Sequence, residues 1–341
     1  MQLTEEIWIG EKCTGKKLIL AGGLSGVLLG LTGCGASDAV LSYEKENYNK
    51  NMYQAELFAE DLCVAGGDVS LDGFEGDSSL HAEGLFNVTD GEVIYGQDLL
   101  TRLYPASTTK ILTALVAIKN SNLDDIVTVG SAGAASSFSW DASVAGLQTG
   151  DQLTMRDLLY GLMLPSGNDS AVAIAEYVAG TEEEFMEMVN EEAQSLMATG
   201  THFVTPNGLH DENHYTTAYD LYLIFNESIK YEEFVDIISA DSYTAQITGA
   251  DGTVRSVTWE PTNFYARGEA ALPTGATVIG GKTGYTGEAG NCLVLLDQAP
   301  DGDYYISIVM GAEDKPLLYE DMTAMIDQIP TLGGADSGSS E

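Results

Sequence analysis

Strand-like patterning stands at both ends of this 341-residue chain, and helix-like patterning fills its middle. Near the start, β-formers flank Asp90-Gly91 between Ala82 and Tyr95, a strong hairpin signal. Near the end, Val278 to Gly284, Asn291 to Asp297 and Tyr304 to Met310 read as strands, the last two joined through Asp301-Gly302. Between them lies the apolar run Ile111 to Ile118, then Leu158 to Leu164 behind a cap at Thr154 and closed by Pro165. Further helices are expected from Ser170 to Val178, from Thr181-x-x-Glu184 through Met197, and after Thr217-x-x-Asp220. This order predicts an α+β fold. Its antiparallel sheet is built from both chain ends with flanking helices, and a mainly helical lobe is inserted from the middle. A site is expected between the lobes. Smaller expectations are a short strand at Leu62 to Ala65, a strand at Asp125 to Val129, loops at 130–150 and 201–215, a hairpin around Asp251-Gly252, and a last helix from Leu317 to Ile326.

The net charge of −38 argues against nucleic acid as a partner, because phosphate backbones need basic patches. The N-terminus reads as a targeting segment: Lys12, Lys16 and Lys17 precede an apolar stretch from Leu18 to Leu31, too short for a comfortable membrane span. That stretch ends in Leu31-Thr32-Gly33-Cys34, which resembles the lipobox of bacterial lipoproteins. The resemblance implies that Cys34 is lipidated and becomes the first mature residue, anchoring the chain to the membrane. An uncleaved signal anchor is the other reading. Both place the folded part outside the cytoplasm, tethered to the cell membrane. Cys63 and Cys292 are then left either to pair or to stay buried as free thiols, and the second reading is preferred.

Tyr104-Pro105-Ala106-Ser107-Thr108-Thr109-Lys110 opens the most apolar helix. A spacing of three places Ser107 and Lys110 on one face, a turn apart. Pro105 keeps the helix from running back past the serine. A hydroxyl at a helix start, near backbone N–H groups and an amine, combines a nucleophile, a base and part of an anion site. Alone, such a pair is weak. Two further elements follow in order: Ser166-Gly167-Asn168 at a turn between helices, and Lys282-Thr283-Gly284 on a glycine-containing strand.

The three elements together resemble the penicillin-binding protein and serine β-lactamase superfamily. Leu164-Pro165-Ser166-Gly167-Asn168-Asp169, Thr201-His202-Phe203, Pro206-Asn207-Gly208-Leu209-His210 and Gly281-Lys282-Thr283-Gly284-Tyr285-Thr286 are similar, within it, to the low-molecular-weight D-alanyl-D-alanine carboxypeptidases. The resemblance covers roughly residues 80–330 and implies cleavage of the terminal D-alanine from peptidoglycan stem peptides, with acylation by β-lactam antibiotics. It implies Ser107 as nucleophile, Lys110 as base, Ser166 as proton relay and Asn168 as a partner of Lys110 or of the substrate amide. Lys282 and Thr283 are implied to hold the substrate carboxylate. Gly284 and Tyr285 are implied to bind substrate with them, and the backbone N–H groups of Ser107 and Tyr285 to be the oxyanion donors. No cofactor and no metal are implied. Relatives often carry an arginine after the last strand; here Ala312-Glu313-Asp314-Lys315-Pro316 offers Lys315, a point charge without a fork.

The expected organisation is a lipoprotein signal peptide at 1–33, a tether at 34–60, a catalytic domain at 61–330 and a flexible tail at 331–341. The domain divides into a sheet lobe of about 61–105 and 275–330 and a helical lobe of about 106–240. A β-lactamase is the competing activity, but no Glu-x-x-Leu-Asn stretch follows Ser166 to activate water. A non-catalytic penicillin-binding lipoprotein is a third reading, disfavoured because a pure binder has no need of Ser107, Lys110, Ser166 and Lys282 together. His202, His210 and His214 match no familiar zinc spacing, and the methionines fall at core positions of helices.

Overall fold

In a computed structural model, residues 62–329 are described. The expected signal peptide, Cys34, the tether and the tail lie outside the described residues.

Strands β1 (Ala82–Asn87) and β2 (Glu92–Gln97) form the hairpin, while β7 (Thr277–Thr286), β8 (Gly290–Gln298) and β9 (Tyr304–Ala312) come from the chain end. They make one antiparallel sheet in the order β2-β1-β9-β8-β7, so the two chain ends meet where β1 pairs with β9. Both faces are covered, which explains strands that are buried along nearly their whole length. Alternation assigns the faces. Cys292, Val294, Leu296, Ile306, Ile308 and Met310 join the larger core with the helices, while Leu293, Leu295, Tyr305 and Val309 join a smaller core.

The helical lobe surrounds α1 (Lys110–Asn120), in which every residue from Lys110 to Ala117 is buried. Its Ile111, Leu112, Leu115 and Val116 each contribute roughly 1.5–3 kcal/mol on burial, which offsets the cost of burying a lysine in the same helix. Around it pack α2 (Met155–Met163), α3 (Asn168–Ala179), α4 (Glu182–Ser195), α5 (Ala218–Ser228) and α6 (Glu232–Ile238). Thr154 caps α2 in a reciprocal box with Asp157, and Thr181 and Thr217 cap α4 and α5 through the N–H groups of Glu184 and Asp220. The short α7 (Phe264–Arg267) precedes β7, and α8 (Lys315–Ile326) closes the smaller core against β8 and β9.

Three features differ from expectation. Leu62 to Ala65 is not a strand. Tyrosine hydroxyls hold it instead, with Cys63 N donating to Tyr222 Oη at 2.7 Å and Tyr219 Oη donating to the Cys63 carbonyl at 2.9 Å. Ser107 lies in a 3-10 turn, Ala106–Thr109, that precedes α1. The expected strand at Asp125 to Val129 and hairpin around Asp251-Gly252 form as β3 (Ile126–Thr128) and as β5 (Tyr243–Thr248) with β6 (Val254–Trp259), but an unexpected strand, β4 (Gln152–Thr154), joins them into a second sheet of order β3-β4-β5-β6. Cys63 and Cys292 are both buried free thiols.

Candidate active site

The 3-10 turn owes its shape to Pro105, followed by Ala106 at φ +49°. Such a value is unusual for a residue with a Cβ and persists only where neighbours enforce it. Two glycines let those neighbours approach. A Cβ on Gly208 would fall 1.9 Å from the Ala106 carbonyl oxygen, and a Cβ on Gly284 would lie 3.1 Å from Ser107 N and 3.0 Å from the Pro105 carbonyl oxygen. The turn is thus held between the 201–215 loop and β7.

Lys110 Nζ donates to Ser107 Oγ at 2.9 Å, to Asn168 Oδ1 at 2.8 Å and to the Asn207 carbonyl at 2.6 Å. With its side chain fully buried, its basicity falls well below the usual lysine range, first through burial and then through the positive charge of Lys282, with Asp169 opposing. Lys282 is likewise buried, and burial lowers it to about 7. Its Nζ donates to Ser166 Oγ at 3.0 Å and to the Thr283 carbonyl at 2.8 Å. Ser166 has φ +62°, a second constrained residue facing the same chemistry.

Asn168 opens α3, and its N–H donates to the Ser143 carbonyl at 2.9 Å. Asp169 accepts from the N–H groups of Ala145, Gly146, Leu147 and Ser170, which ties the 143–147 loop to the same helix start. Thr283 Oγ1 is 2.5 Å from Thr262 Oγ1. Between the lobes lies a cleft of about 420 Å³, lined by Ser107, Ser166, Asn168, Thr283, Gly284 and Tyr285 among others. Lys315 lines the same cleft, its Nζ 4.4 Å from the centre of the Phe264 ring.

All the expected site residues among the described ones therefore converge on this cleft or directly beneath it. Reading the sequence missed the Asn207 carbonyl, Thr262 and the buried Asp169. Asp169 carried a signal, a carboxylate in the first turn of a helix. The three histidines separate: His202 pairs with the Asn213 carbonyl, His210 packs edge-on to Tyr104, and His214 is buried. Among the described residues, no group of three or more His, Cys, Asp or Glu is placed to hold a metal ion.

A family model described as D-alanyl-D-alanine carboxypeptidase matches residues 79–314. The chain belongs to the D-alanyl-D-alanine carboxypeptidase family. It is 33% identical over 246 residues to D-alanyl-D-alanine carboxypeptidase DacF of Bacillus subtilis (strain 168), a match covering 70% of this chain and 58% of that relative. It is also 33% identical to the D-alanyl-D-alanine carboxypeptidase of Streptomyces sp. (strain K15), covering 70% of this chain and 82% of the relative. The solved Streptomyces K15 DD-transpeptidase superposes with a TM-score of 0.69 at 31% identity, over 76% of this chain and 99% of that one. Penicillin-binding protein 5 from Haemophilus influenzae gives a TM-score of 0.65 at 27% identity, over 77% of this chain and 72% of that one. These carboxypeptidase-family matches agree with the α+β architecture, and the chain spans a little under three fifths of the DacF relative. Among the described residues, no helix is long and apolar enough to cross a membrane.

Proposed function

We propose that this chain is a serine D-Ala-D-Ala carboxypeptidase that removes the terminal D-alanine from peptidoglycan stem peptides and is acylated by β-lactam antibiotics. The observation that carries the reading is the 2.9 Å contact between Ser107 Oγ and the buried, weakly basic Nζ of Lys110. A lysine whose basicity burial lowers gives up its proton more readily and can then act as a general base for a serine hydroxyl.

Lys110 Nζ takes the Ser107 proton as Oγ bonds to the penultimate carbonyl carbon. The developing oxyanion is stabilised by the N–H groups of Ser107 and Tyr285. The C–N bond breaks, and Ser166 Oγ passes a proton to the leaving amine, resupplied by the Lys282 ammonium 3.0 Å away. In the second half, water attacks the ester carbon and its proton returns through Ser166 to Lys282. Lys110 gives its proton back to Ser107 Oγ. Asn168 orients Lys110, while Lys282, Thr283 and the nearby Lys315 hold the substrate carboxylate. Among the described residues lining the cleft, the carboxylate is that of Asp141, with no glutamate. This supports slow release of a penicilloyl group and disfavours a β-lactamase.

The same reading takes residues 1–33 as a signal peptide, Cys34 as a lipidated membrane anchor, 34–60 as a tether, 61–330 as the catalytic domain and 331–341 as a tail. The Leu31-Thr32-Gly33-Cys34 ending supports the anchor. Fatty-acid labelling that survives Cys34→Ala would remove it. For the activity, D-alanine release is measured with a peptide ending in D-Ala-D-Ala. Release by the native chain and loss in Ser107→Ala are expected. Equal release by both would overturn the assignment of Ser107, and no release by either would overturn the activity.

A further inference from the structure

His214 has no part in the chemistry above, yet it is 2% exposed and lies against the nucleophile's turn. Its Nδ1 accepts from Val204 N at 3.0 Å and Thr205 N at 3.3 Å. Two backbone donors on Nδ1 leave the ring proton on Nε2. Nε2 lies 2.8 Å from Thr109 Oγ1. The Thr109 hydroxyl donates to the Ala106 carbonyl at 2.8 Å, so its free lone pair faces the imidazole N–H. One directed chain therefore runs from Val204 and Thr205 through His214 and Thr109 to Ala106. Phe203 stacks on the ring, with centroids 4.7 Å apart and planes 8° from parallel, fixing its rotation.

The chain ends on the one residue of the turn with φ in the left-handed region, the residue before Ser107. It begins on the loop that carries Asn207, whose carbonyl accepts from Lys110 Nζ, and Pro206, whose carbonyl accepts from Thr113 Oγ1 at 2.7 Å. Both partners in the proton transfer thus rest on segments joined by His214. Constrained backbone of this kind persists only where surrounding contacts over-determine it.

We propose that His214 is a positioning residue for acylation: through Thr109 it holds the Ala106 turn that aims Ser107 Oγ, and through the 201–215 loop it sets the Asn207 carbonyl that orients Lys110. The inference rests on the Ser107 acyl-enzyme reading. It excludes a metal role for this histidine, because both ring nitrogens are already engaged.

The test is a double-mutant cycle on the full chain with benzylpenicillin, resolving the binding constant from the acylation rate constant. His214→Asn keeps an acceptor for Val204 N and Thr205 N but does not reach Thr109. Thr109→Val removes the hydroxyl and keeps the volume. Each single variant is expected to lower the acylation rate constant about 10- to 100-fold with little change in binding. His214→Gln, which restores an N–H toward Thr109, should recover part of the loss. The double variant should lose no more than the worse single one, the signature of two residues acting in one chain. Losses that multiply in the double variant, or rate constants that stay at the native value, overturn the inference. A melting temperature that falls in all variants without a change in the rate constant assigns His214 to stability alone and likewise overturns it. If the native chain is not acylated at all, the Ser107 reading fails and this inference falls with it.

Discussion

Lys282 Nζ lies 3.0 Å from Ser166 Oγ, which joins β7 of the sheet to the turn that starts α3 of the helical lobe. The contact places an amine of lowered basicity beside the proposed proton relay, and it makes activity depend on two amines in opposite states. Lys110 must be neutral to accept a proton, so the rate rises with pH through its lowered value. Lys282 must be charged, so the rate falls as pH rises through about 7. Lys282→Arg keeps a charge that is not lost in this range. The variant should be slower by about a hundredfold or more, because guanidinium does not resupply the relay, and its falling alkaline limb should disappear. The pH dependence of acylation checks this. An alkaline limb that stays near pH 7 in the variant would assign that ionisation to another group.

Gly284 faces the nucleophile's turn with no room to spare. A methyl group there would sit 3.0 Å from the Pro105 carbonyl oxygen and 3.1 Å from the N atoms of Ser107 and Thr108, all backbone atoms that cannot swing aside. Gly284→Ala is expected to displace Ser107 N by a few tenths of an ångström and to slow acylation about 10- to 100-fold. Stability should change by about 1 kcal/mol or less, since the strain is confined to the cleft wall. Stopped-flow acylation alongside thermal unfolding checks it. A native rate in the variant would mean that the turn and β7 are not held against each other.

Asp297 on β8 is fully buried, with Ser307 Oγ donating to its Oδ2 at 2.6 Å and no partner at Oδ1 among the described residues. Burial pushes its carboxyl up to about 7, against 3.8 for a free aspartate. Between those values the unfolded chain has lost a proton that the folded protein keeps. Stability therefore falls as pH rises through this window and levels off above the folded value. Asp297→Asn removes the dependence. It should stabilise the protein by about 1–3 kcal/mol at pH 8 and by little or nothing at pH 4. Denaturant titrations at both pH values measure this, and a variant less stable at pH 8 would show that the ionised carboxylate is satisfied in the fold.

The parts of the fold legible in the sequence were those set by local chemistry. The Asp90-Gly91 hairpin and the Thr154, Thr181 and Thr217 caps each satisfy nearby backbone groups, so their signals sit within a few residues. The strand at Asp125 to Val129 and the hairpin around Asp251-Gly252 were legible too, but their joining into a second sheet was not: β4 is three residues long and meets β5 through the single pair Gln152 and Thr248. Such pairing is decided by tertiary packing, not by propensity. At the site, Ser107, Lys110, Ser166 and Lys282 announced themselves as reactive side chains in suitable contexts. The third acceptor of Lys110 is a backbone carbonyl, which any residue supplies, and the left-handed turn falls on an alanine, which gives no warning of it.

The most direct test of the central claim is intact mass spectrometry of the chain mixed with benzylpenicillin and followed over hours, with Ser107→Ala alongside. The account predicts a long-lived adduct of one penicilloyl group on the native chain and none on the variant. Rapid loss of the adduct with drug turnover would contradict the carboxypeptidase assignment in favour of a β-lactamase, and an adduct that persists in Ser107→Ala would remove Ser107 from the mechanism.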